Sequence, residues 1–97
     1  MRFLFVAAAL SVAAPVCAQD AQGRNLAASC AICHGTDGRS PSRDLVPIAG
    51  LPRDYIVKQL VDFRDGKRPA SVMHQIARGY TDPQIDALAA WFAAQKR

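Results

Sequence analysis

A helix that crosses a membrane needs roughly 20 consecutive apolar residues, and this sequence contains no such run. Its longest candidate, Phe3 to Ala14, is interrupted by Ser11 and ends at Pro15. Preceded by Met1-Arg2 and followed by the small residues Val16, Cys17 and Ala18, the stretch reads as a secretory leader rather than a span. The expected division is a signal peptide over residues 1–18, cleaved near Ala18, and one domain over residues 19–97 that is exported to the periplasm. Glutamate is also absent: eight aspartates carry all the acidity against 12 Lys and Arg, for a net charge of +4. That mild basicity, in an exported chain, gives no argument for a nucleic-acid partner. Ninety-seven residues leave no room for a two-domain enzyme.

Cysteine is scarce as well. Of three, Cys17 falls in the leader, and Cys30 and Cys33 stand too close together to cross-link a fold. The 79 residues after Ala18 are few enough that an apolar core alone supplies only about 3–5 kcal/mol, so a staple other than a disulfide is expected. The sequence shows no internal repeat, no low-complexity segment and no nucleotide-binding glycine pattern. It also lacks the period-two alternation of a half-buried strand. The expected fold class is therefore all-α.

What is present are helical signals separated by breakers. A first helix is expected from near Asp20, a favourable residue at a positive helix end, to Cys33, with Gly35 as its stop. Gly35, Gly38, Pro41, Pro47, Gly50 and Pro52 then forbid long regular structure and predict an ordered wrapping loop. Tyr55, Ile56, Gln59, Leu60 and Phe63 recur at helical spacing over Arg53 to Asp65, ahead of Gly66. Thr81 and Gln84 form a capping-box pair with Pro83 in the first turn, opening a last helix that runs to about Gln95. Ile85, Leu88, Ala89 and Phe92 are its buried stripe.

The segment Cys30-Ala31-Ile32-Cys33-His34 is the attachment sequence of a c-type haem. Thiols three residues apart on a helix face one side and reach the two vinyl groups, and the following imidazole binds iron. One covalent haem c would also be the missing staple. A dithiol redox motif fits less well without a βαβ context, and a zinc site would need His74 as a distant fourth ligand. For the sixth iron position the residues leave Met73, His74 or an open site, since these are the remaining Met and His of the exported part.

From Gly23 to Gln95 the chain resembles the class I single-haem bacterial cytochromes c. The resemblance implies the cytochrome c fold, three to five helices wrapped around one covalent haem. It implies a close crossing of the first and last helices at Gly23 and Trp91, and His34 and Met73 as the iron ligands. It also implies a proline carbonyl, best matched by Pro47, that accepts a hydrogen bond from the proximal imidazole. No catalytic residue is implied.

The stretches Ile48 to Pro52, Gly66 to Ala70 and Ile76 to Tyr80 look like the cytochrome subunit of flavocytochrome c sulfide dehydrogenase. The expected function is periplasmic electron transfer, taking electrons from a partner dehydrogenase and passing them to a respiratory or photosynthetic chain. An FAD-containing flavoprotein subunit is the partner that the resemblance suggests. A free electron shuttle is the alternative, and a small haem enzyme with an open sixth position a further one. Arg64, Lys67, Arg68, Arg78, Lys96 and Arg97 read as solvated charges or as a positive rim that steers an acidic redox partner.

Overall fold

Thr81 and Gln84 make the most fully determined helix start in the chain. The backbone amide of Gln84 donates to Thr81 Oγ1 at 3.3 Å, and the amide of Thr81 donates to Gln84 Oε1 at 2.9 Å, so the expected capping box forms in full. The helix it opens, Asp82–Ala93, is the last of five in a computed structural model that describes residues 3–11 and 16–97, the side chains of 16–20 apart. Numbered along the chain these are α1 (Val16–Ala27), α2 (Ala31–His34), α3 (Arg53–Arg64), α4 (Met73–Ala77) and α5. Single 3-10 turns occupy Ala28–Cys30 and Thr36–Gly38. No strand occurs among the described residues, as the sequence led us to expect.

The first helix differs from expectation at both ends. It begins at Val16 rather than Asp20, and it tightens to a 3-10 turn before the attachment segment instead of running through it. Ser29 supplies a reason for the second difference: its hydroxyl donates to the Leu26 carbonyl at 3.5 Å, offering the backbone an alternative to the α-helical bond. Residues 3–11 form no regular structure, and Phe3, Leu4, Phe5, Val6 and Leu10 are each at least 80% exposed. Arg2 and Pro15, the positive start and the end of the apolar run, lie outside the described residues.

The core sits where α1, α3 and α5 meet. Ala27, Ile56, Leu88, Ala89 and Phe92 are buried together, with Leu26, Leu60, Tyr80 and Trp91 packed on them. Helix α1 crosses α5 at Gly23, where a Cβ would stand 2.6 Å from the Ala87 carbonyl oxygen and 3.0 Å from Trp91 Cβ. Only glycine permits that approach, and Gly23 and Trp91 meet as the family resemblance implied. Trp91 in turn meets Phe92 edge to face at 5.3 Å.

The breaker-rich segment wraps as predicted, and it is pinned at both ends. The Gly38 carbonyl accepts from the amides of Ile48 and Ala49 at 2.9 and 3.2 Å, and the Gly50 amide donates to the Phe92 carbonyl at 2.9 Å. Arg39 Nε donates to the Lys96 carbonyl at 2.8 Å, tying the loop to the C-terminal end. No helix among the described residues is long and apolar enough to cross a membrane.

Candidate haem site

The loop and four of the helices, α2 to α5, line an apolar cleft of about 240 Å³. Its walls come from Val46, Ile48 and Leu51 in the loop, from Tyr55, Ile56, Leu60 and Phe63 along α3, and from Leu88 and Phe92 on α5. Three residues singled out by the sequence open into it: Cys30 and His34 from the attachment segment, and Met73 from the first position of α4. Cys33 stands exposed on α2 and is not part of the lining.

His34 is oriented by a carbonyl. Its Nδ1 lies 2.7 Å from the Val46 oxygen, and a carbonyl can only accept, so Nδ1 carries the proton and Nε2 is left with the lone pair that binds a metal. This corrects the expectation for Pro47. The acceptor belongs to the residue before it, while Pro47 lines a surface hollow with Arg39, Ser40, Ala49, Leu51 and Arg97. Proline still contributes, because its ring confines the preceding residue to extended conformations and so restricts where the Val46 carbonyl points.

Cys30 is half-buried, and that burial pushes its thiol above the ordinary range. A hydrogen bond involving Ser29 pulls in the opposite direction with smaller effect. A thiol held neutral is poorly suited to thiolate redox chemistry. The Ser29 hydroxyl also meets Tyr80 OH at 2.9 Å, joining the attachment segment to the chain just past α4.

Met73 heads a five-residue helix. Five residues are too few to be helical on their own. The helix is held by packing: Ala77 is fully buried, and the amides of Gln75 and Ile76 both donate to the Val72 carbonyl. His74, the other candidate for the sixth position, is half-buried on the same helix but does not line the cleft, and its Nδ1 is buried without a hydrogen-bond partner. Among the described residues no three His, Cys, Asp or Glu side chains gather as a metal cage.

Two cleft features escaped sequence reasoning. One is the Val46 carbonyl, whose only signal is the proline after it. The other is Arg68, a cation in the cleft wall that composition groups with the solvated charges.

These residues fit a haem. An apolar slot receives a flat apolar group, one thiol lines it, and an imidazole is fixed with its free nitrogen available. Comparison with known proteins agrees. The chain is 40% identical over 76 residues to cytochrome c4 of Pseudomonas aeruginosa, a match that covers 78% of this chain and 38% of that one. It is 43% identical over 74 residues to the cytochrome subunit of sulfide dehydrogenase of Chlorobaculum tepidum, covering 75% and 66%. It is 30% identical over 79 residues to cytochrome c-554(548) of Halomonas halodenitrificans, covering 78% and 95%. The crystal structure of reduced recombinant cytochrome c4 from Pseudomonas stutzeri superimposes with a TM-score of 0.75 at 26% identity, over 87% of this chain and 50% of that one. No family model matches the sequence. The chain spans less than two thirds of the cytochrome c4 and sulfide dehydrogenase relatives, but nearly all of the Halomonas protein. Taken with the attachment motif and the all-α fold, these matches show that the chain belongs to the class I c-type cytochromes, which carry covalently bound haem c.

Proposed function

We propose that this chain is a periplasmic electron carrier, fed by a partner dehydrogenase and emptied by a respiratory or photosynthetic chain. The observation that carries this reading is the convergence of His34 and Met73 on one apolar cleft. Cys30 and Cys33 would attach the haem, and His34 and Met73 would bind its iron. Bound there, the haem supplies a one-electron iron couple whose potential sulfur ligation raises relative to two imidazoles.

The chain's own residues do the rest. Val46 fixes the proton of His34 on Nδ1, the apolar walls would receive the haem face, and α4 holds Met73 in the lining, where its sulfur would bind the iron in place of a substrate. This last point separates a carrier from a haem enzyme. Export is supported by Phe3, Leu4, Phe5, Val6 and Leu10, apolar side chains that lie exposed; we place cleavage after Ala18 and the cytochrome domain over residues 19–97. The sulfide dehydrogenase relative and the resemblance of Gly66 to Ala70 and Ile76 to Tyr80 make an FAD-containing flavoprotein subunit the first partner to test.

The test is expression with haem-attachment machinery, followed by intact mass and acid-acetone extraction of the periplasmic protein. The expected product begins at Gln19 and keeps its colour on the polypeptide. A colourless polypeptide overturns the assignment. Met73→Ala should then bind carbon monoxide readily where the parent does not, and a parent that binds it rapidly favours the enzyme. For the partner, sulfide plus a flavoprotein fraction should reduce the haem. If it does not, the free shuttle stands in place of the subunit.

A further inference from the structure

Among the described residues the wall of the cleft carries one cation, Arg68. Ion pairing within the chain does not account for it. Among the described residues Arg68 meets no carboxylate, whereas Arg64, one turn earlier, is paired with Asp65 at 3.3 Å and Asp82 at 2.5 Å. The backbone brings Arg68 to the cleft deliberately. After α3 ends, Gly66 takes a φ of +76°, and the amides of Lys67 and Arg68 both donate to the Asp62 carbonyl, at 2.8 and 3.2 Å. The chain thereby folds back onto the α3 face that presents Gln59 and Phe63, one turn apart. There the guanidinium carbon lies 4.6 Å from the centre of the Phe63 ring, and Nη1 donates to Gln59 Oε1. A guanidinium has five N–H donors, so several remain for a ligand. Arg68 is itself exposed, which puts it at the mouth of the cleft, where the anionic edge of an otherwise apolar group belongs.

We propose that Arg68, steadied by Gln59 and Phe63, is the residue that holds a haem propionate at the mouth of the cleft. The inference rests on the haem reading above and adds a task for this side chain. A propionate charge favours ferric iron, and a guanidinium beside it offsets that charge, so Arg68 keeps the potential high. It also holds that carboxyl ionised through the neutral range, so the potential stays flat with pH there. The other ionisable groups lining the cleft among the described residues are Cys30, consumed on attachment, His34, engaged on the iron, and the Tyr55 phenol.

The experiment compares the haem-loaded parent with Arg68→Gln, Arg68→Lys and Lys67→Gln by potentiometric titration across pH. Lys67→Gln removes the same charge one residue away, outside the cleft lining. The expected result for Arg68→Gln is about a tenfold shift toward the oxidised form, on the order of 59 mV for one electron. The potential of that variant should also begin to fall with rising pH in the carboxyl range. Arg68→Lys should keep most of the parent potential, and Lys67→Gln should move it less, with any shift removed by salt. Equal shifts in Arg68→Gln and Lys67→Gln, or none in either, overturn the proposal while mass still shows haem on the chain. Should Arg68→Gln load poorly, Arg68→Ala and Arg68→Lys are read by the same criterion. A parent with no covalent haem fails the underlying reading instead, and mass alone distinguishes the two failures.

Discussion

The two sides of the cleft are built by different means. On the His34 side, α1 and α5 interlock: Gly23 admits no Cβ, Ile85 and Ala89 are fully buried, and Phe92 is 1% exposed. On the Met73 side, residues 65–69 are exposed, and, its chain neighbours apart, no atom of the described residues lies within 4 Å of where a Cβ on Gly66 would stand. That arm is held by turn hydrogen bonds, by surface ion pairs such as Arg64–Asp82 and by the small buried contact of Ala77. The contrast separates stability from ligation. Close packing transmits any change in volume, so damage at the crossing should unfold the whole protein. The arm belongs to the less stable part of the structure, where local opening precedes global unfolding. Damage there should appear first as lost ligation by Met73.

The largest break should come from Phe92→Ala, at about 3–5 kcal/mol for a buried aromatic. Its ring also faces Gly38, so the wrapping loop loses a wall. Denaturant unfolding of the holoprotein checks it. Gly23→Ala comes next. Over-packing costs about 1–3 kcal/mol, and alanine returns up to about 1 kcal/mol of helix propensity. The net outcome should be a lower unfolding midpoint with Met73 still on iron until the protein melts. A neutral or stabilising Gly23→Ala would show that the helices separate easily, and the contrast would fail.

Much of the stiff side was legible in the sequence, and less of the soft side. The Thr81 and Gln84 cap, the stripe of Ile85, Leu88, Ala89 and Phe92, and the Cys30 to His34 motif are local patterns whose geometry follows from spacing alone. Gly23 against Trp91 became readable only through the family resemblance, since nothing local distinguishes a crossing glycine from a turn glycine. Helix α4 was hidden because Pro69 and Ser71 argue for a loop, and because it is held by packing against α3, which no local pattern records. The carbonyl on His34 was placed one residue late, at Pro47 instead of Val46. A carbonyl acceptor carries no side-chain signature, so only the folded backbone identifies it. Arg68 was counted among solvated charges or a partner-steering rim for a similar reason: its place in the wall depends on the reversal at Gly66 and on two neighbours in α3.

Gly66→Ala sharpens the comparison from the other side. No atom opposes the added methyl, so the cost is purely conformational: a left-handed φ penalises a Cβ by about 1–2 kcal/mol. Because the strain falls in the arm, carbon monoxide binding to the ferrous protein should speed up while the global unfolding midpoint drops less than in Gly23→Ala. Gly66→Asn should recover part of the loss, since asparagine tolerates this conformation. If Gly66→Ala instead lowers the midpoint without admitting carbon monoxide, the arm is as cooperative as the crossing.

The smallest effect should belong to Tyr80→Phe. The substitution keeps the ring that packs on the core and deletes only the bond to Ser29, which spans 51 residues of sequence. A hydrogen bond contributes about 0.5–1.5 kcal/mol net, and this one is exposed, so the lower end applies. Its position gives it more influence than that figure suggests. Ser29 precedes Cys30, while the Tyr80 amide donates to Ala77 at the end of α4, so the bond connects the two halves of the ligand set directly. Tyr80→Phe and Ser29→Ala should each raise the rate of carbon monoxide binding modestly, and the double variant should raise it no further, since both remove one interaction. The unfolding midpoint should barely move. Additive effects of the two substitutions would show that they act through separate contacts. A large fall in the midpoint with unchanged ligand binding would place Tyr80 with the rigid side of the molecule and remove the boundary drawn between α4 and the core.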